Sequence, residues 1–221
     1  MMKRLVFCVT LALLILGMNT SAGAALTGVS DPSFESDTWD DGWFERGPYT
    51  GLQSDTDPAY PETPYGEMWM QFGNQSWMFQ QIGTWEADMS LDIRMLSGKV
   101  AGKSYGGLKI SLFAGGDASL ASDAGDNDVP PDNLVNVVGA TMIAESQQFD
   151  YPNGDDMGTF EVNVSLNTGS TGTEGDPLWL LVQSQGRQKV LVDNVAVTPE
   201  PATISLLAAG LFGITRRRRK A

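Results

Sequence analysis

The pattern of apolar and polar positions between residues 25 and 198 predicts β-strands along the whole segment. Large apolar residues alternate with other residues, or form short apolar runs, in eight stretches bounded by Gly- and Asp-rich connections. These stretches are 66–72, 77–82, 89–95, 108–113, 135–143, 160–166, 178–182 and 189–197. A period of two is typical of strands that bury one face, and no helical period of 3.6 competes with it. The pattern predicts an all-β fold, a single jelly-roll β-sandwich.

Two long connections interrupt this pattern. Residues 46–65 are rich in Pro, Tyr and Asp, and residues 114–133 include the Asp-rich loop 117–132. Connections of this length are usually functional or mobile. The second one carries a group of oxygen-bearing side chains, Asp123, Asp126, Asn127, Asp128 and Asp132. They lack the spacing, the Gly and the distal Glu of an EF-hand, so we interpret them as a solvated loop, with metal binding as the alternative.

The N-terminus has the three parts of a secretory signal. A basic start, residues 1–4, precedes the apolar stretch 5–18, and Ala22-Gly23-Ala24 forms an A-x-A cleavage site. The sequence therefore predicts a cleaved signal peptide over 1–24, with the mature chain beginning at Ala25. Cys8, the only cysteine of the chain, lies within it.

The C-terminus is also organised as a signal. Pro199-Glu200-Pro201 precedes the uncharged run 202–214 and a basic cluster, Arg216, Arg217, Arg218, Arg219 and Lys220. The two prolines predict a break after the last strand. A helix of 13 residues spans about 20 Å, less than the roughly 30 Å of a bilayer core, which favours a transient anchor with its basic end on the cytoplasmic side. The expected organisation is signal peptide 1–24, domain 25–198 and tail 199–221.

This order of parts resembles the PEP-CTERM sorting domain. The resemblance implies export in a Gram-negative bacterium, transient insertion of 202–214 in the inner membrane, and removal of the tail by a membrane peptidase of the exosortase type. It also implies a final location at the cell surface or in the extracellular matrix, alongside exopolysaccharide. The alternative is a C-terminal amphipathic or core helix followed by a nucleic-acid-binding basic tail. It is disfavoured because the run is apolar on all faces and the rest of the chain is acidic.

Composition narrows the possible chemistry of the domain. Residues 25–198 contain no His and no Cys, which excludes disulfides, a Ser-His-Asp triad, a Cys nucleophile and a His- or Cys-ligated metal site. The same segment has 26 acidic and 7 basic residues, a net charge near −19. Nucleic acid and anionic membrane surfaces are therefore disfavoured as partners, whereas divalent cations and neutral sugars are compatible.

Three short segments resemble galactose-binding-like sandwiches and related carbohydrate-binding modules. They are the opening segment 31–35, the strand 79–83 and the closing strand 190–197. The resemblance implies that the terminal strands lie side by side and hold a structural calcium with Glu35, Asp193 and loop carbonyls, the hard oxygen ligands that Ca²⁺ prefers. The alternative is that Glu35 faces solvent and Asp193 makes a turn or edge hydrogen bond.

Aromatic residues are concentrated early in the domain, among polar loop residues. Such rings stack on the C–H faces of sugars while nearby polar groups bond the hydroxyls. The predicted ligand-binding set is Trp39, Trp43, Tyr49, Tyr60 and Tyr65, with Arg46 as a polar partner. The alternative is that these rings close the ends of the sandwich, and Trp69, Trp77 and Trp179 are expected in the core.

Three functions are compatible with these observations. The first is a secreted, non-catalytic protein that binds carbohydrate in the extracellular polysaccharide matrix. The second is a structural or adhesive matrix protein without a discrete ligand site. The third is a glycosidase that uses two carboxylates, although adjacent pairs such as Asp155-Asp156 point apart in a strand. Ice binding is disfavoured because no regular Thr-x-Thr array is present.

Overall fold

The computed structural model describes residues 26–36, 42–46, 50–73, 76–121, 138–152, 156–186 and 189–200. Within these ranges the chain forms ten β-strands and one short 3-10 turn, Ala118–Leu120. The strands are β1 (Phe44–Arg46), β2 (Gly51–Ser54), β3 (Met68–Phe72), β4 (Trp77–Thr84), β5 (Ser90–Lys99), β6 (Leu108–Ala114), β7 (Thr141–Glu145), β8 (Gly158–Asn167), β9 (Pro177–Ser184) and β10 (Val190–Pro199).

The strands form two five-stranded antiparallel sheets. The first sheet has the order β1-β4-β9-β6-β7, and the second has the order β2-β3-β10-β5-β8. Strands β3 to β10 pair as nested partners, β6 with β7, β5 with β8, β4 with β9 and β3 with β10, alternately in one sheet and the other. This is the rolled ribbon of a jelly roll, so the predicted fold is confirmed. Strands β1 and β2 extend one edge of each sheet.

Alternation along the strands builds the core between the sheets. Leu178, Leu180 and Val182 of β9 face Ile93 and Met95 of β5 across the sandwich, and all five are buried. Each fully buried aliphatic side chain of this size stabilises the fold by about 1.5–3 kcal/mol. Seven of the eight strand segments predicted from the sequence therefore bury the expected faces, and the segment 135–143 is the exception.

Both sheets also carry buried aromatic residues on the face away from this core. On the first sheet these are Trp77, Phe79, Phe113 and Trp179, with the Phe44 ring stacked 5.1 Å from that of Phe79. The predicted burial of the three tryptophans is confirmed, since none is more than 1% exposed. Their clusters, however, are separate from the core between the sheets.

Three strands differ from the sequence prediction, and the first of them, β1, was not predicted at all. Strand β2 lies inside the predicted loop 46–65. It has only four residues and no alternation of apolar and polar positions, and it forms by pairing with β3. The strand predicted over 135–143 is observed as β7, at Thr141–Glu145 on the sheet edge, and 135–137 lie outside the described residues.

The predicted break at Pro199 is wrong, because β10 continues through this residue. Pro199 pairs with Leu91, and the Glu200 amide donates to the Ser90 carbonyl at 2.9 Å. In an antiparallel ladder, successive residues direct their backbone N–H and C=O groups to opposite sides of the strand. Glu200 directs these groups towards β5, so Pro199 directs its own away from β5. The missing N–H of Pro199 thus faces the side where β3 has ended, so the proline removes no ladder bond.

Candidate functional site

The outer face of the second sheet is partly covered and partly open. The segment 55–66 covers one part, where Tyr60 packs with Trp69, Leu96 and Leu191. The Trp69 indole donates to the Pro61 carbonyl at 2.8 Å, and the Tyr60 hydroxyl reaches the side chains of Gln53 and Gln71. The segment ends near Tyr65, and beyond it β5 and β8 face solvent.

The open part is a groove built from outward positions of β5 and β8. Ile93 and Met95 point into the core, so Asp92 and Arg94 point out. The register places Arg94 opposite Asn163, Leu96 opposite Glu161 and Asp92 opposite Ser165. Residues 65 or more apart in sequence are thereby brought together on one surface.

The groove consists of two adjoining depressions of about 390 and 240 Å³. Arg94, Glu161 and Asn163 line both. Tyr65, 43% exposed, and Asn194 line the smaller depression. Together they reach the size of a site for a small ligand or part of a polymer.

Three polar side chains of the groove have no partner in the described part of the chain. Arg94, Glu161 and Asn163 make no side-chain hydrogen bond or ion pair with another described residue. Guanidinium donors, a carboxylate acceptor and an amide with both functions are therefore free to bond a ligand. Exposed Tyr65 adds an aromatic surface beside them.

A buried carboxylate lies where β10 changes register. The ladder with β5 shifts between Asp193 and Ala196, and the Asp193 side chain is 0% exposed. The Thr63 hydroxyl and the Asn194 amide both donate to it. Burial and, to a smaller extent, the charges of Glu35 and Asp31 raise the pKa of Asp193 to about 6, although these two hydrogen bonds act to lower it.

Glu35 is held close to this carboxylate. Its Oε1 atom accepts from the amides of Glu67 and Met68, each at 2.9 Å. A Cβ atom at Gly66 would lie 2.0 Å from the same oxygen, so this glycine makes room for the side chain. The charge of Glu35 acts on Asp193, so the two carboxylates lie in one region, and a calcium site formed by them stays a prediction.

The surroundings of these carboxylates are compatible with a hard cation. Asp31, Phe34 and Asn194 have φ values of 39°, 57° and 49°, a strained conformation that clusters at functional sites. Acidic side chains dominate here, and calcium accepts carboxylate, hydroxyl and carbonyl oxygens in irregular geometry. No group of three or more His, Cys, Asp or Glu side chains in the described ranges forms a metal-holding cluster, so backbone oxygens would complete the set.

The predicted aromatic set is divided by the structure. Trp43, 4% exposed, packs on Phe34 at a centroid distance of 5.6 Å and donates to the Asp31 carbonyl. Tyr60, 9% exposed, belongs to the covering segment. Both rings therefore pack inside the fold, and Tyr65 is the member that reaches the groove.

The remaining predicted residues are placed only in part. Trp39 and Tyr49 lie outside the described residues. Arg46 ends β1 opposite Trp77, on the first sheet and away from the groove strands. Loop residues 122–137, with the acidic group at 123–132, also lie outside the described residues.

The sorting signal spans the end of the described chain. Pro199 and Glu200 are described, whereas Pro201, the run 202–214 and Arg216 to Arg219 are not. No helix within the described ranges is long and apolar enough to cross a membrane.

Comparison with protein families decides what this end of the chain is. Residues 197–220 match the model described as the PEP-CTERM protein-sorting motif. The chain carries a PEP-CTERM sorting tail. The motif implies export and sorting to the surface, as well as exosortase processing. No curated protein matches the chain.

Solved structures with a similar fold include a cyclase and carbohydrate-binding modules. A cyclase from Fischerella sp. TAU is 16% identical, with a TM-score of 0.52 over 79% of this chain and 98% of the other. The CBM22-1 xylan-binding domain from Paenibacillus barcinonensis is 12% identical, with a TM-score of 0.43 over 79% and 93%. TmCBM61, solved with β-1,4-galactotriose, is 14% identical, with a TM-score of 0.41 over 77% and 96%. At these identities the similarity concerns the fold alone.

Proposed function

We propose that this protein is a secreted, non-catalytic protein that binds carbohydrate in the extracellular polysaccharide matrix. The observation that carries the proposal is the open groove on the second sheet. Arg94, Glu161 and Asn163 offer hydrogen-bonding groups without partners among the described residues, beside the exposed ring of Tyr65. Sugar hydroxyls need this mixture of donors and acceptors, and an aromatic face suits sugar C–H groups.

The charge of the groove favours a neutral sugar chain. Arg94 is its only cation among the described lining residues, whereas Glu161 lines both depressions and Asp92 lines the larger one. The domain as a whole is strongly acidic, so a polyanion would be repelled during approach.

A binding screen tests this function. The secreted, tail-processed protein is run in native gels that contain neutral polysaccharides or the exopolysaccharide of the same cells. Retardation by at least one of them is expected. No retardation by any would contradict carbohydrate binding and favour a structural matrix protein. Release of reducing ends during incubation would instead indicate a glycosidase.

We also propose a structural calcium held by Glu35 and Asp193, with nearby backbone carbonyls. Burial and, to a smaller extent, the charges of Glu35 and Asp31 raise the pKa of Asp193, and a bound ion would act against both by favouring the ionised carboxylate. Its expected effect is a melting temperature several degrees higher in calcium than in chelator, because binding to the folded state alone stabilises it. Glu35→Gln should remove this rise, whereas Glu62→Gln, an exposed carboxylate on the covering segment, should keep it. Equal melting temperatures in calcium and chelator would contradict the calcium proposal without affecting the groove.

A further inference from the structure

The sorting motif begins inside a paired strand. Thr198 pairs with Asp92 and Pro199 with Leu91, and the Glu200 amide donates to Ser90. Two of the three residues of the Pro-Glu-Pro motif are thus held against β5. No connecting segment separates the last ladder bond of the domain from Pro201.

A peptidase needs the backbone that this ladder occupies. Enzymes that read extended peptides surround several residues and form main-chain hydrogen bonds with them. On one side of Thr198 and Glu200 these bonds are already made with β5, and the body of the sandwich lies beside them. A cleft cannot enclose the motif while this pairing persists.

Residues 198–200, at the end of β10, can separate from β5 at a small cost in free energy. The side chains of Thr198, Pro199 and Glu200 are exposed, so their departure uncovers little apolar surface. Val197, one residue earlier, packs against the core, and the Val195 amide donates to the Pro32 carbonyl at 2.8 Å. Opening should therefore stop at Val197. Local opening of this kind, with few buried contacts to break, is the cheapest class of native-state fluctuation.

We propose that the sorting peptidase acts on an opened form in which residues 198–200 have separated from β5, so that this pairing limits the rate of tail removal. The proposal rests on the exosortase processing implied by the motif. Removal breaks one peptide bond within 199–201; with water as the acceptor, the body retains a carboxylate and the tail an amine. The folded sandwich thereby regulates the processing of its own signal.

A disulfide across the last pairs tests the proposal. In an antiparallel ladder the Cα atoms of a hydrogen-bonded pair lie about 5.5 Å apart, within disulfide range. The double variant Thr198→Cys/Asp92→Cys joins β10 to β5 without altering the motif, and the mature chain has no other cysteine. The protein without its signal peptide but with its tail, residues 25–221, is incubated with membranes that contain the peptidase, and tail removal is followed by mass. The oxidised form should be processed at least about tenfold more slowly than the same protein after reduction.

A matched cross-link separates strand opening from general rigidity. Asp92→Cys/Ser165→Cys uses the same position on β5 but joins it to β8. Its oxidised form should be processed at the wild-type rate. Equal processing of the oxidised Thr198→Cys/Asp92→Cys protein and the wild type would overturn the proposal. If the wild-type chain is not cleaved at all, this result would instead contradict tail removal by the peptidase, on which the proposal rests.

An insertion provides a test that needs no disulfide. Four residues, Gly-Ser-Gly-Ser, placed between Thr198 and Pro199 move the whole motif out of the ladder. Tail removal should then become several-fold faster, because no pairing has to open. The same four residues inserted in the exposed turn at Gly102 should leave the rate unchanged. An unchanged rate after the first insertion would also overturn the proposal.

Discussion

The outer faces of the two sheets differ in what they expose to solvent. The first sheet carries Trp77, Phe79, Phe113 and Trp179, all nearly inaccessible to solvent. On the second sheet, the part formed by β5 and β8 is polar and open. Aromatic content alone therefore does not identify a ligand face in this protein. The accessible surface whose polar groups have no partner among the described residues lies on the sheet with fewer aromatic rings.

Removing a ring from the first sheet should have the largest effect. Trp179→Ala deletes a buried indole that also donates to the Gly115 carbonyl at 3.0 Å, and should cost about 3–5 kcal/mol of unfolding free energy. Urea denaturation measures the loss, and Trp179→Phe should cost less. At temperatures where the variant stays folded, polysaccharide binding should be unchanged. A small stability cost with lost binding would place the ligand on the first sheet instead.

The buried carboxylate of the second sheet should make stability depend on pH. Its pKa is raised by burial from 3.8 to about 6, so between these values the folded state binds more protons than the unfolded one. Without calcium, Asp193 therefore lowers stability as pH rises from about 4 to 7, by up to about 3 kcal/mol. Asp193→Asn should remove this contribution. Urea denaturation at pH 5 and pH 7 measures how the unfolding free energy changes with pH in the wild type and in Asp193→Asn.

Calcium should reverse this dependence, because it favours the ionised carboxylate. The stabilisation by calcium should be larger at pH 7 than at pH 5, and absent in Asp193→Asn. Parallel pH profiles for wild type and Asp193→Asn in chelator would contradict the raised pKa. Equal stabilisation of both proteins by calcium would place the ion elsewhere.

A substitution in the groove should change the stability of the protein least but should clearly change its affinity for polysaccharide. Arg94→Ala removes an exposed side chain, so the unfolding free energy should change by no more than about 0.5 kcal/mol. Binding to a retarding polysaccharide should weaken by about tenfold, or 1.4 kcal/mol, because a charged hydrogen-bond donor is lost. Lys103→Ala, an exposed cation in the turn after β5, is the matched control. Loss of binding in both variants would indicate non-specific charge attraction.

Much of the fold could be predicted because one face of each strand is buried. The alternation of apolar and other positions, together with short apolar runs, predicted the strands observed as β3 to β6 and β8 to β10. Strands β1 and β2 were not predicted, because three or four residues carry too short a pattern and depend on distant partners. Pro199 was interpreted as a break because the direction of its missing N–H depends on the register of β10.

The candidate site was less predictable than the fold. Tyr65 was in the predicted set, but Arg94, Glu161 and Asn163 were not. They occupy outward positions, which in sequence look like any solvated strand face. The pairing of β5 with β8, nearly 70 residues apart, is what brings them together. Trp43 and Tyr60 resembled ligand-binding rings because sequence alone does not show which loop folds back on the sheet.

The central claim is that the groove of the second sheet binds polysaccharide. The most direct test is the retardation of the processed protein in native gels that contain the exopolysaccharide of its own cells, with Asn163→Ala and Lys103→Ala beside the wild type. We predict that the wild type and Lys103→Ala are retarded equally and that Asn163→Ala is retarded much less. Equal retardation of all three proteins, or none at all, would contradict the claim.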